Sequence, residues 1–220
     1  MRRAFTLIEL LVSIGIIALL LGLLFPALGK AKEASRNVKC LANLSSLGKG
    51  LQGYMNDHKD HLLPEVRPLH GGDPGGGNDP SLLDILADYL DCAVPRKGDD
   101  GFFIVTDPFR CPSDRTSDDE ATNFEPTWRS VGTSYEYRAG LYMLAAELMG
   151  VKRRSFAVTR ALEQGYALPI ASDSTGWHST SKSDPGVNAI FWPDFAAKRE
   201  GEPNEKQYDM FFQDMIRIGL

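Results

Sequence analysis

The chain has 220 residues and a formal charge of −5, from 24 Lys and Arg against 29 Asp and Glu. That length holds one apolar helix and a single outer domain of about 160 residues, enough to bury a core without staples. The acidic balance counts against nucleic-acid binding, which asks for a concentrated basic surface.

Residues 5–28, FTLIELLVSIGIIALLLGLLFPAL, follow the leader Met1-Arg2-Arg3-Ala4 and carry no charge between Leu10 and Leu28. At a rise of about 1.5 Å per residue, a helix of this stretch crosses a hydrocarbon layer about 30 Å thick. The ionisable group inside it is Glu9, and a carboxylate at mid-bilayer costs about 2.5–3.5 kcal/mol, so an acid here asks for a positive partner. A secretory signal cut at Ala27-Leu28-Gly29 leaves Glu9 and Pro26 unexplained. A twin-arginine signal through Arg2-Arg3 has too short a leader and too greasy a run. A plain signal anchor accounts for the span but not for FTLIE following a small residue. Lys30, Lys32, Arg36 and Lys39 lie beyond the span, so charge counting alone does not put the large domain outside.

The stretch RRAFTLIELL resembles the prepilin signal of type IV pilins and type II secretion pseudopilins: a short basic leader, a cut before Phe and Glu at the fifth mature position. The resemblance implies that a prepilin peptidase cuts between Ala4 and Phe5 and methylates the new amine of Phe5. It also implies that Glu9 pairs with that amine on a neighbouring subunit, and that Pro26 is the helix-kinking proline many pilins carry. Ala4 stands where the family usually has Gly. Further expectations follow from the family: a single-pass protein of the bacterial inner membrane with its C-terminal domain periplasmic or extracellular. Its partners would be copies of itself in a helical filament, other pilins or pseudopilins, the peptidase and the inner-membrane assembly platform, with no nucleic acid.

Beyond Gly29 the pattern becomes amphipathic. Ala31, Ala34, Val38, Leu41, Leu44, Leu47, Leu51 and Tyr54 recur every three or four residues, with Lys32, Arg36, Lys39 and Lys49 between them, which predicts a helix buried along one side. Joined to the apolar part it forms one helix from Phe5 to near Asp57. Gly48, Gly50 and Gly53 each cost up to about 1 kcal/mol relative to Ala inside a helix, so these turns either fray or pack closely. The expected divisions are a leader (1–4), an apolar polymerisation helix (5–28), its amphipathic continuation (29–60) and a globular α+β domain (61–220). The stretch RNVKCLANLSSLGKGLQGYMNDHKDHLLPE resembles a large bacterial group of pilin-like proteins that runs through a Cys, an Asn-Leu pair and a Tyr before a Pro. Here these are Cys40, Asn43-Leu44, Tyr54 and Pro64.

His70 to Pro80 is dense in Gly and Pro and reads as a loop; it lacks the Gly-Lys-Ser/Thr ending of a phosphate cradle. Ser81 is placed to cap a short helix whose apolar face is Leu82, Leu83, Ile85, Leu86, Tyr89 and Leu90. Phe102 to Val105 reads as a strand bounded by Gly101 and Asp107-Pro108. The pair Cys111-Pro112-Ser113-Asp114 and Ser134-Tyr135-Glu136-Tyr137 resembles a matching pair in the same pilin-like group, with Arg138 where Asn is usual. A helix is expected over 141–149, a basic turn at Lys152-Arg153-Arg154, and strands over 167–172 and 187–192 joined by the polar loop 173–186. The group's C-terminal pattern has counterparts in His178, Asn188 and Asp194, but Phe195 stands where Gly is expected, and Phe tolerates positive φ poorly. The tail 208–220 is expected to dock as a short helix or edge element.

The cysteines are Cys40, Cys92 and Cys111, which allow at most one internal disulfide. Cys92 to Cys111 would close a short loop, and Cys40 to Cys111 would tie the helix to the domain; spacing does not choose. No CxxC pair occurs, and the histidines do not combine with these cysteines at zinc spacing. Asp173, Asp184 and Asp194, with His178, form a candidate calcium set, because hard oxygen ligands in a loop suit that ion; the competing reading is a solvated turn. Apart from calcium no cofactor is expected. Ser172 or Ser179 with His178 and Asp173 can be written as a hydrolytic trio, but no nucleophile elbow frames them and no enzyme is expected. Trp128, Trp177, Trp192, Tyr135 and Tyr137 form either a sugar platform or core. The expected fold is α+β, a long N-terminal helix packed through its outer half on a small antiparallel sheet. The expected role is a structural subunit of a pilus or secretion pseudopilus; the alternative is a membrane-anchored extracytoplasmic binding module that does not polymerise.

Overall fold

The computed structural model describes residues 7–66, 81–115, 125–178, 186–201 and 204–220. Ala4, Phe5, the loop from His70 to Pro80, Ser179 and Asp184 lie outside the described residues. The chain divides into two compact units, Met1–Arg36 and Asn37–Leu220.

Helix α1 (Leu7–Asp57) is continuous and contributes to both units. In the first unit every described residue up to Lys32 is exposed. In the second, the buried stripe runs Cys40, Asn43, Leu44, Leu47, Leu51 and Met55. This corrects the expected stripe at its start: Ala31 and Ala34 are exposed, and Val38 is 65% exposed. The helical period was read correctly, but one face of an amphipathic helix is buried only where another element covers it.

Gly48, Gly50 and Gly53, toward the end of α1, are sites of close packing. A Cβ at Gly50 would stand 3.0 Å from a Leu86 methyl, and one at Gly53 would stand 2.9 Å from the Tyr89 ring. Both partners belong to α2 (Leu82–Leu90), which starts as expected, with the Ser81 hydroxyl accepting the Leu83 N–H. The helix-propensity cost of these glycines is therefore offset by apolar burial against a second helix.

Strands β1 (Arg96–Lys97) and β2 (Phe103–Ile104) form a small antiparallel hairpin. After α3 (Thr127–Val131), a four-stranded antiparallel meander is built from β3 (Tyr135–Glu136), β4 (Pro169–Asp173), β5 (Asn188–Phe191) and β6 (Ala197–Arg199), in that spatial order. β4 and β5 are buried at every position, including the polar residues Ser172, Asp173 and Asn188. The fold is thus α+β, with the outer half of α1 packed together with small antiparallel sheets.

Between β3 and β4 come α4 (Arg138–Leu148) and α5 (Arg154–Leu162), and α6 (Glu205–Gly219) closes the chain. The expected basic turn at 152–154 is instead the lead-in to α5. Its polar residues hold the segment that follows α1: Thr159 accepts the Leu63 N–H at 3.1 Å, Ser155 donates to the Leu63 carbonyl at 2.5 Å, and Arg154 pairs with Glu65, while also pairing with Glu147 of α4. α6 docks through fully buried Phe211 and Met215, and the Phe211 ring meets Tyr142 edge-on at 5.1 Å.

Candidate functional site

Two groups of residues bear on function, one in each unit. In the first, Glu9 lies in the opening turn of α1, and its carbonyl accepts the Ser13 hydroxyl at 2.7 Å. Pro26 sits inside the helix, so the carbonyl of Gly22, four residues back, loses its usual N–H donor there. Leu7, Leu19, Leu23 and Phe25 are 65–80% exposed, and the intervening apolar residues are exposed with them. An uninterrupted apolar surface on this scale needs lipid or another protein to cover it. The helix is long and apolar enough to cross a membrane.

In the second unit, the motif residues noted in the sequence hold one another. Cys40 on α1 is disulfide-bonded to Cys111, which decides between the two pairings spacing left open; Cys92 is half-buried and keeps its thiol. One turn further along α1, the Asn43 amide donates to the Arg110 carbonyl at 2.7 Å, and Lys39 pairs with Asp107 at 2.9 Å. The segment 107–111 is therefore fastened to α1 by a covalent bond, a buried amide and a partly exposed ion pair. Pro64 contributes its carbonyl, which accepts the buried Tyr137 hydroxyl at 3.1 Å.

The CPSD and SYEY segments are linked in the same way. The Cys111 N–H donates to the Ser134 hydroxyl at 2.9 Å, and that hydroxyl donates to Asp114 Oδ2 at 2.8 Å. Asp114 also accepts the N–H groups of Thr127 and Trp128 at 2.9 and 3.0 Å, so an acid from a distant loop caps α3, whose own N-cap Pro126 has no side-chain acceptor. Burial pushes the Asp114 carboxyl up from its ordinary value, and these three donors pull it back down.

Beside the disulfide lies a buried acid and imidazole. Asp173 ends β4 and is fully buried; its Oδ2 accepts the Asn188 N–H at 2.8 Å and stands 3.7 Å from His178 Nε2. The same His178 nitrogen is 3.5 Å from Cys111 Sγ. The His178 backbone is held on both sides, with its N–H on the Gly186 carbonyl at 3.0 Å and its carbonyl receiving Arg199 at 2.5 Å. Burial pushes the Asp173 carboxyl up to about 7, opposed by the Asn188 N–H and by the Arg199 charge. Asn188 also reaches α1, donating to the Asn37 side chain at 2.8 Å.

The other candidates are placed as follows. Of the calcium set, Asp173 belongs to this buried cluster, whereas Asp194 is exposed and its Oδ1 accepts the Ala196 N–H at 3.1 Å, the geometry of a local turn. In the hydrolytic trio, Asp173 and His178 do meet, but the Ser172 hydroxyl is occupied by Arg138 Nε and the Asp173 carbonyl. The atom that approaches the imidazole is Cys111 Sγ. The aromatic platform is not assembled: Tyr135 and Tyr137 are core, Trp128 donates to the Asp114 carbonyl beneath the Arg110 guanidinium, and Trp192 packs on Phe195. Phe195 itself adopts the left-handed conformation, φ 54°, that a glycine was expected to serve.

Sequence reading missed Asp114 as the cap of α3, Asn43 as a clamp, and the meeting of His178 with Cys111. The Cys111-Pro112-Ser113-Asp114 motif and the Asn43-Leu44 pair were the available signal for the first two. The third is separated by 67 residues and carries no spacing signature.

No curated protein and no solved structure matches the chain. Residues 1–25 match the model of the prokaryotic N-terminal methylation motif. That match supports a type IV pilin-like or pseudopilin precursor, and the apolar helix that it overlaps fits a membrane-anchored protein.

Proposed function

We propose that this chain is a structural subunit of a pilus or a type II secretion pseudopilus. A prepilin peptidase cuts it between Ala4 and Phe5 and methylates the Phe5 amine; the subunit then waits as a single-pass protein of the bacterial inner membrane with its outer unit periplasmic. Assembly lays the apolar helices of neighbouring copies side by side and brings the Phe5 amine of one to the Glu9 carboxylate of the next. In low dielectric that charge pair gives register, because the two ions satisfy each other only at one stagger.

The observation that carries this reading is an N-terminal methylation motif running directly into an apolar helix exposed on all sides. Gly15, Gly22 and Gly29 support it further: they recur every seven residues on nearly one face, and a Cβ at each would meet nothing within 4 Å. A neighbouring helix can approach the backbone closely along such a face. Pro26 leaves a carbonyl that a local bend can serve.

The test has two readouts. Mass spectrometry of the native protein is expected to find a mature chain beginning at N-methylated Phe5. Cysteines engineered into the apolar helix are expected to form disulfides between adjacent copies. A chain that keeps Met1 and stays monomeric in the membrane overturns the reading in favour of a membrane-anchored binding module.

A further inference from the structure

We propose that in its dithiol form the outer unit binds a zinc-type divalent cation through Cys40, Cys111, His178 and Asp173. This inference does not depend on filament assembly.

Among the described residues, the ligand atoms of Cys40, Cys111 and His178 lie within 4.8 Å of one another, and all three side chains are buried. In a tetrahedral site with Zn–S near 2.3 Å and Zn–N or Zn–O near 2.0–2.1 Å, neighbouring ligand atoms stand about 3.3–3.8 Å apart. Two edges of that tetrahedron already exist. His178 Nε2 is 3.5 Å from Cys111 Sγ and 3.7 Å from Asp173 Oδ2. Two changes remain: separation of the two sulfurs, which reduction of their bond permits, and a shift of the Asp173 carboxylate toward them, since the compact group holds Cys40, Cys111 and His178 without it.

Asp173 supplies the independent indication. It is a fully buried carboxylate whose Oδ1 has no hydrogen-bond partner among the described residues. A buried acid oxygen of this kind is expensive unless a cation or donor meets it. The charges also balance: two thiolates and one carboxylate face the dication and Arg199, whose charge acts on Asp173.

The chemistry separates the two states. In the disulfide the sulfurs are bonded to each other, and neither carries the thiolate charge that holds zinc. A phosphine reductant converts the bond to two thiols; the phosphine becomes its oxide, and water supplies the oxygen and the two protons. Metal binding then releases both thiol protons to solvent, since the ligands are thiolates. Because the four ligands come from α1, from the loop before α3, from the end of β4 and from the turn after it, the ion ties together the elements that the disulfide tied.

The experiment uses the full chain in detergent with Cys92→Ser, which removes the thiol outside the cluster. Disulfide and phosphine-reduced samples are incubated with zinc chloride, desalted, and assayed for metal by atomic absorption; a cobalt-loaded sample is read for thiolate-to-cobalt charge-transfer absorption. The reduced chain is expected to retain about one ion and the disulfide chain essentially none. His178→Ala and Asp173→Asn are each expected to weaken retention at least 10-fold. His178→Cys, which supplies another thiolate, is expected to restore binding and so separates ligand loss from misfolding. A reduced chain that holds no zinc, equal retention by disulfide and dithiol, or retention indifferent to His178→Ala or Asp173→Asn overturns the proposal.

Discussion

Phe195 offers the sharpest test of how the outer unit is held. It is buried, its ring lies 5.6 Å from that of Trp192, and its backbone is left-handed. A Cβ at Gly48 of α1 would stand 2.8 Å from its carbonyl oxygen. Two opposing effects meet at this position. Truncating a buried Phe to Ala costs about 3–5 kcal/mol, whereas a non-glycine residue in the left-handed region carries about 1–2 kcal/mol of steric cost. Phe195→Ala loses the ring and keeps the backbone cost, so it is expected to lose about 3–5 kcal/mol. Phe195→Gly loses the ring but relieves at least about 1 kcal/mol, so it should lose less. The glycine variant is then the more stable of the two by about 1 kcal/mol, the reverse of the order in helix and strand interiors. Trp128, Trp177 and Trp192 all lie in the Asn37–Leu220 unit, so the tryptophan-fluorescence unfolding midpoint of the detergent-held chain reports that unit alone. The difference corresponds to about 2–4 °C for a domain of this size. An alanine variant as stable as the glycine variant, or more so, refutes the reasoning.

Other perturbations probe the remaining links. Glu9→Ala is expected to leave the fluorescence midpoint of the outer unit unchanged and to reduce recovery of the protein in sheared filaments; undiminished filament yield would count against charge pairing as the source of register. Replacing Cys40 and Cys111 together by Ala opens a cross-link spanning 71 residues and should cost about 4 kcal/mol by chain entropy. A loss under about 1 kcal/mol in urea unfolding would show that the cross-link adds little to the noncovalent fastening by Asn43 and Lys39. In the disulfide form, Asp173 is pushed up to about 7, so the folded state holds that proton more tightly than the unfolded state. Its stabilising contribution is full below the ordinary carboxylate value and is lost as pH rises through about 7. The stability difference between wild type and Asp173→Asn should therefore move against wild type over that window, and a pH-independent difference would contradict it. Gly48→Ala is expected to destabilise despite alanine's better helix propensity, because the carbonyl it meets belongs to a backbone that cannot step aside.

Much of the architecture was legible in the chain itself. Length and uninterrupted apolarity specified the first half of α1, three- and four-residue recurrence specified its continuation, and Ser81 announced α2 through a hydroxyl that caps locally. These are short-range properties, settled by 1.5 Å of rise per residue, 3.6 residues per turn and the chemistry of one side chain. What the tertiary structure decided were questions of who covers whom. Val38 fits the helical period yet faces out, while Gly48, Gly50 and Gly53 look like helix breakers yet are where α2 and the Phe195 turn come closest. Asp114 caps a helix it does not belong to, and Cys111 takes Cys40 rather than Cys92. The same holds for His178, which no spacing rule connects to a cysteine 67 residues earlier. Burial and side-chain pairing depend on which surfaces meet, and surfaces far apart in the chain meet only when the whole outer unit packs.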